Sequence, residues 1–165
     1  KIIVGGFPLA ALGASAEIMQ HFDKSIVGGD KWLMQLGTLS GNPIAAAAGL
    51  KTMEILRREG SYDRLREIGR ALQDMQSSAL NAADIPHQIC GDETLFDIFF
   101  TTSQCRDYRT ATHDEPARNV TYNATLREHG IFKSPGKLYP SLAITSNDLE
   151  QTKAAIEHAV RSISL

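Results

Sequence analysis

A primary amine, a pair of glycines and a threonine just ahead of a helix are the groups in this sequence best placed to do chemistry. Lys1 heads an apolar run, Ile2-Ile3-Val4, followed at once by Gly5-Gly6-Phe7-Pro8. A lysine that acts as a nucleophile must lose its proton and hold one geometry, so it is set on stiff backbone in a partly desolvated place. A strand end followed by a glycine turn offers that, because residues without a Cβ let another molecule come close. Thr38, within Gly37-Thr38-Leu39-Ser40-Gly41, brings a hydroxyl and a backbone amide to a point just before a helix N-terminus. That setting suits an anion such as a phosphate. Each residue also has a plainer role, Lys1 as a solvated surface lysine and Thr38 as a loop residue helping Asn42 to start a helix.

Several elements must position these groups. Residues 1–13 read as a short strand, the glycine turn and a second apolar run. Ser15 is placed to cap one or two helical turns over 15–22, and 23–41 reads as an extended loop rich in Gly, Asp and Ser. Asn42-Pro43 then opens a helix, with Asn as N-cap and Pro in the first turn, and Gly60 ends it. Ala45 to Ala48 give this helix small side chains that let neighbouring backbone approach. Ser61 is expected to cap a second helix, along which Leu65, Ile68, Leu72, Met75, Ala79 and Leu80 recur at helical spacing. Beyond Pro86 the period changes to that of strands, 88–90 and 95–100 joined through Gly91-Asp92. A helix over about 116–129 stops at Gly130, and Ile131-Phe132 and Leu138 to Ile144 read as short extended segments. Ser146-Asn147 with Glu150 resembles a cap for a final helix carrying Ala154, Ile156, Ala159, Val160 and Ile163.

Composition narrows the classes of function. The 165 residues are 42% hydrophobic and 22% charged with a formal net charge of −2, an ordinary globular balance. Nucleic acid is not expected as a partner, because phosphate-backbone binding needs clustered Lys and Arg. A membrane partner is not expected either, since no apolar run approaches the ~20 residues of a span. The five histidines are scattered, so no metal site is expected. Cys90 and Cys105 sit in no ligand spacing and imply no disulfide framework, which fits a reduced, cytoplasmic protein. A chain entering directly on an apolar run after Lys1 is expected to continue upstream.

Two segments taken together, Lys1-Ile2-Ile3-Val4-Gly5-Gly6-Phe7-Pro8-Leu9-Ala10-Ala11-Leu12-Gly13 and Gly37-Thr38-Leu39-Ser40-Gly41-Asn42-Pro43, resemble the class III aminotransferases in type, order and separation. The likeness extends weakly to the C-terminus through Leu126 to Gly130 and Ser146 to Thr152. It implies an α/β chain, the C-terminal part of a fold-type I enzyme dependent on pyridoxal 5'-phosphate (PLP). Residues 1–58 would be the remnant of the large, PLP-binding domain with the end of its sheet. Residues 59–165 would be a connecting helix and a small α/β domain with a short sheet and flanking helices. Lys1 would be the Schiff-base lysine and proton shuttle. Thr38 would bind the cofactor phosphate of a neighbouring subunit, in a homodimer with shared active sites. The substrates would be an amino donor and a keto acid or aldehyde acceptor. The Asp that pairs with the pyridinium nitrogen, the ring-stacking aromatic and the main phosphate loop would lie upstream of Lys1.

The sequence also departs from the family pattern. Ala10 stands where relatives usually have glycine, and Ile144 where they often have histidine. Glutamate-semialdehyde aminomutases carry a Glu-Ala-Gly stretch where this chain has Pro135-Gly136-Lys137, which points toward an aminotransferase. An aminomutase, shifting the amino group within one molecule, and a non-catalytic homologue remain the alternatives. Arg106, Arg109, Arg118 and Arg127 could each bind a carboxylate, but solvated arginines on loop and helix faces are the plainer reading. Lys137 reads as a turn residue, and the sequons at Asn119 and Asn123 are set aside.

Overall fold

The computed structural model describes residues 2–4, 6–112 and 114–164, with only the backbone at Ile2. The chain divides into two compact units, Lys1–Glu59 and Gly60–Leu165.

In the first unit Ile2–Val4 form a single 3-10 turn, not the expected strand. A strand requires a partner for its backbone groups. The only sheet among the described residues is a two-stranded one far along the chain, so this apolar run satisfies its backbone locally. The Val4 side chain goes instead to a helix. Helices α1 (Ala16–Met19), α2 (Lys24–Val27) and α3 (Pro43–Leu56) follow, with 3-10 turns at Gln20–Phe22 and Gly29–Lys31. Ser15 is the N-cap of α1, but its side chain makes no capping bond. The segment read as extended from residue 23 is partly wound. Asp23 Oδ1 accepts from the Ser25 amide at 2.9 Å and from Ser25 Oγ at 2.6 Å. Trp32 Nε1 donates to the Phe22 carbonyl at 3.2 Å, and the Leu33 amide donates to that of His21 at 2.8 Å. Two polar contacts ten or more residues apart thereby fold 21–33 back on itself.

Helix α3 begins where the sequence places its start. Asn42 Oδ1 accepts from the amides of Ile44 and Ala45 at 2.9 and 3.1 Å, satisfying donors that a helix N-terminus leaves open. Ala45 and Gly49, one turn apart, are its buried residues. Val4 is fully buried. Its Cγ1 lies 3.0 Å from where a Cβ on Gly49 would stand, and Leu9 Cδ2 lies 3.4 Å from the same point. The small-residue stripe therefore seats the segment that follows Lys1.

The second unit packs helices α4 (Ser61–Ala82), α5 (Pro116–Glu128) and α6 (Ser146–Ile163) with a hairpin of β1 (Gln88–Asp92) and β2 (Leu95–Phe99). The N-cap of α4 is Gly60, in a left-handed conformation, with Ser61 already helical. The strands pair antiparallel from Gln88↔Phe99 to Asp92↔Leu95. Gly91 and Asp92 are thus ladder residues, and the turn is Glu93-Thr94. Asp92 Oδ1 makes that turn by accepting from the Thr94 amide at 3.0 Å and its hydroxyl at 2.7 Å. Helix α4 meets the turn at Gly69, where any Cβ would overlap the Glu93 carbonyl oxygen. Arg66 bridges Asp92 and Glu93 at 2.8 and 2.7 Å. Thr94 and Arg66 together hold the Asp92 carboxyl well below the usual range.

The core gathers Leu80, Ile98, Phe100, Tyr122, Leu126, Ile156, Ala159 and Val160. Inside it the Tyr122 hydroxyl donates to Gln76 Oε1 at 3.2 Å, and Gln76 Nε2 donates to the Leu72 carbonyl at 3.2 Å. The segments expected as extended after α5 form isolated bridges, Phe96↔Leu138 and Ser134↔Lys137. The cap of α6 is Thr145, before the expected Ser146-Asn147. Thr145 and Asp148 form a reciprocal capping box, because a box joins residues three apart and Asp148 offers its carboxylate to Thr145. Ile144, where histidine was expected by resemblance, packs half-buried against Ile68, Leu72 and Phe96.

Candidate functional site

The turn before α3 is built by two successive backbone bonds, Ser40 N to Gly37 O at 2.9 Å and Asn42 N to Leu39 O at 3.2 Å. The glycines at its two ends serve it in different ways. A Cβ at Gly37 would come within 2.9 Å of Ser40 Oγ, whereas Gly41 has φ +73, which residues with a Cβ rarely adopt. Thr38 sits exposed on this turn, as do Leu39 and Ser40. The first amides of α3 are occupied by Asn42. An anion here would therefore be held by the Thr38 hydroxyl and the turn's own backbone, not by the bare helix end.

Lys1, the lysine assigned by resemblance, and Gly5 lie outside the described residues. What is described is the backbone that leaves Lys1. Ile3 and Val4 sit over Gly49 of α3, the Ile3 carbonyl oxygen 3.8 Å and Val4 Cγ1 3.0 Å from its would-be Cβ. Gly49 is six residues beyond Pro43, about 9 Å along the helix at 1.5 Å per residue. A single helix thus carries both segments singled out by the sequence: its first turn is anchored at the Thr38 turn, and its middle grips the chain just after Lys1.

The four arginines lie in the second unit. Arg106 is folded onto Gln104 Oε1 at 2.8 and 2.6 Å. Arg118 pairs with Glu115 at 3.3 Å, and Arg109 and Arg127 are exposed. Lys137 lies in the tight Ser134–Lys137 bridge. Lys133, passed over in the sequence, is the lysine with the more unusual setting. Its ammonium donates to the Ser134 carbonyl at 2.8 Å and the Pro135 carbonyl at 3.4 Å. Burial pushes it below the ordinary lysine range, opposed by Asp97. Its neighbour Phe132 is 90% exposed, and two cavities of about 320 Å³ meet at this pair. A lysine set between a phenylalanine and a Ser-Pro turn was the only hint in the sequence. Among the described residues no group of three or more His, Cys, Asp or Glu side chains could hold a metal. No described helix is long and apolar enough to cross a membrane.

Comparison with known proteins agrees along nearly the whole chain. The family model of the class-III aminotransferases matches residues 1–160. A curated glutamate-1-semialdehyde 2,1-aminomutase from Pelotomaculum thermopropionicum is 32% identical, over 98% of this chain and 37% of its own length. Among solved structures, an omega-transaminase from Sphaerobacter thermophilus is similar with a TM-score of 0.82 and 31% identity, covering 99% of this chain and 37% of that one. A β-phenylalanine aminotransferase from Variovorax paradoxus is similar with a TM-score of 0.70 and 25% identity, covering 88% of this chain and 33% of its own. The chain therefore spans little more than a third of the length of the relatives it matches. The α/β arrangement expected from the sequence, the C-terminal part of the fold-type I architecture, is that of these structures.

Proposed function

Because the chain belongs to the class-III aminotransferase family, we propose that the protein moves an amino group between an amino acid or amine and a keto acid or aldehyde, with PLP as cofactor. The observation that carries this reading is the helix α3, which ties the exposed Thr38 turn to the segment directly after Lys1. The division of labour follows. Lys1 Nζ is the covalent anchor for the cofactor and, once released, the base that moves the proton on the substrate carbon. The Thr38 hydroxyl holds the phosphate. When bound, PLP supplies the electron sink that lets the substrate carbon lose that proton. Gly49 keeps the backbone at Ile3 and Val4 pressed against α3.

The donors present fit a phosphate: Thr38 is exposed, on a turn whose glycines leave room for close approach. Leu36, Leu39 and Ile44 around it are 75, 53 and 63% exposed. Apolar surface of this kind beside a polar site favours coverage by another chain. That supports a homodimer in which Thr38 serves the partner's cofactor, with residues 1–58 acting as part of a large PLP domain and 59–165 as the small one. The free thiols of Cys90 and Cys105 fit a reducing compartment, and we place the enzyme in the cytoplasm.

The test is borohydride reduction of the whole protein with PLP, then peptide mapping. A phosphopyridoxyl group on Lys1 supports the proposal, and an unmodified Lys1 with a cofactor-free spectrum overturns it in favour of a non-catalytic homologue. The 32% identity to an aminomutase favours one second reading, an intramolecular amino shift. Turnover that needs no added keto acid would establish that reading, whereas a strict requirement for an acceptor would establish the aminotransferase.

A further inference from the structure

Two thiols that the sequence separates by fifteen positions are neighbours in the second unit. Gln88 and Cys90 alternate along β1 and so stand on one face of the strand. Gln88 Oε1 accepts from the Cys105 amide at 3.3 Å, which draws the backbone at 105 across that face. The segment bearing Cys105 is also clamped at its base. Asp114 accepts from the Thr101 hydroxyl at 2.7 Å and the Thr102 amide at 2.8 Å, and its own amide donates to the Phe100 carbonyl at 2.8 Å. Held in this way, Cys105 lies on the face of β1 that carries Cys90, close enough for its thiol to act electrostatically on the Cys90 thiol. Both are free and both are half-buried, open to a small oxidant and shielded from a large one.

We propose that Cys90 and Cys105 are a redox pair that closes a reversible disulfide between β1 and the 101–115 segment when the protein meets a peroxide. One thiolate attacks the O–O bond of hydrogen peroxide, becoming a sulfenic acid and releasing hydroxide, which takes up a proton to give water. The second thiol attacks the sulfenic sulfur, forms the S–S bond and releases a second water. Two thiols and one peroxide thus give one disulfide and two waters, and a dithiol reductant reverses the result. Burial, and next to it Cys105, push the Cys90 thiol above the ordinary range. That lowers the thiolate fraction of Cys90 and slows its reaction with weak oxidants. The amino-transfer proposal is not needed for this one.

The pair can be read directly, because no Lys or Arg lies between the two cysteines and one tryptic peptide, residues 71–106, carries both. The whole protein would be exposed to hydrogen peroxide, alkylated, digested with trypsin and weighed before and after dithiothreitol. The expected result is a 71–106 peptide lighter by two hydrogen atoms and unalkylated, which takes up two alkyl groups after reduction. Cleavage after Glu93 should leave the two halves joined until reduction. Cys90→Ser and Cys105→Ser should each lose the cross-link and accumulate a dimedone-reactive sulfenic acid on the remaining cysteine. Alkylation of both thiols in the oxidised wild type, sulfinic acid without a cross-link, or linkage of either cysteine to a different one would overturn the proposal.

Discussion

Val4 is buried against Gly49 so closely that its Cγ1 lies 3.0 Å from the position of a glycine Cβ. This contact joins the turn that follows Lys1 to the middle of α3. Two effects oppose each other on substitution. Gly49→Ala gains about 0.5–1 kcal/mol of helix propensity but must push Val4 aside by a few tenths of an ångström. We expect Gly49→Ala to be near neutral in stability, and Gly49→Leu to lose about 1–3 kcal/mol through overpacking. In the whole protein both should lower PLP occupancy, Leu far more than Ala. Combining Gly49→Ala with Val4→Ala should relieve the crowding but not restore the anchoring. Denaturant melts and the cofactor absorbance read the two effects separately.

The Thr38 turn and the Asn42 cap are adjacent, yet they should separate in experiment. Asn42 satisfies the amides of Ile44 and Ala45, so Asn42→Ala should cost about 1 kcal/mol of stability. Thr38 is exposed, so Thr38→Ala should leave the melting curve in place and weaken PLP retention by about tenfold, the loss expected of a hydrogen bond to a charged group. Thr38→Ser should restore retention. Equal stability loss in both variants would remove Thr38 from the cofactor site.

Gln76 and Tyr122 are 2% and 1% exposed and satisfy each other. Burial alone pushes the Tyr122 hydroxyl far above its ordinary range, so it stays a donor at any working pH. Tyr122→Phe leaves Gln76 Oε1 buried without that donor, at a cost of about 1–3 kcal/mol. Gln76→Met with Tyr122→Phe removes both partners and should recover part of that loss. A double-mutant cycle by thermal melting gives the coupling.

Acid should weaken the second unit in two windows. The His158 ring stacks on His129 with centroids 4.1 Å apart. Its pKa is lowered by desolvation, then by His129 and Arg161, against Glu157. A lowered value means that the unfolded chain binds the proton first. This stability is therefore present above about pH 6.5 and is lost as pH falls through the folded value. His158→Gln should flatten this part of the profile. Asp148 is held below its ordinary 3.8 by the Thr145 amide and then its hydroxyl. Its share is present above that pH and is lost below it, and Asp148→Asn should reduce this second window, which Asp92 shares. Thr145→Ala should cost about 1 kcal/mol at neutral pH. Melting temperature against pH for the three variants checks each sign.

Features whose cause lies within a few residues were legible in the sequence. The start of α3 follows from Asn42 reaching amides two and three positions on, and α4 and α6 from apolar side chains repeating at helical spacing. The same locality set the limits of that reading. Thr145 and Ser146 are both competent caps, and which one serves depends on where Asp148 points. Likewise Gly91-Asp92 is as good a turn as Glu93-Thr94 until the partner strand fixes the register. The proposal that Lys1 and Thr38 carry the chemistry comes from the resemblance alone. That one helix holds the Thr38 turn at its end and the chain after Lys1 at its middle is a packing fact, decided by the missing Cβ of Gly49 against Val4. The meeting of Cys90 with Cys105 is of the same kind. Their spacing says nothing, because a hairpin, a glutamine side chain and an aspartate clamp bring them together, and such non-local contacts exist only once the chain has folded.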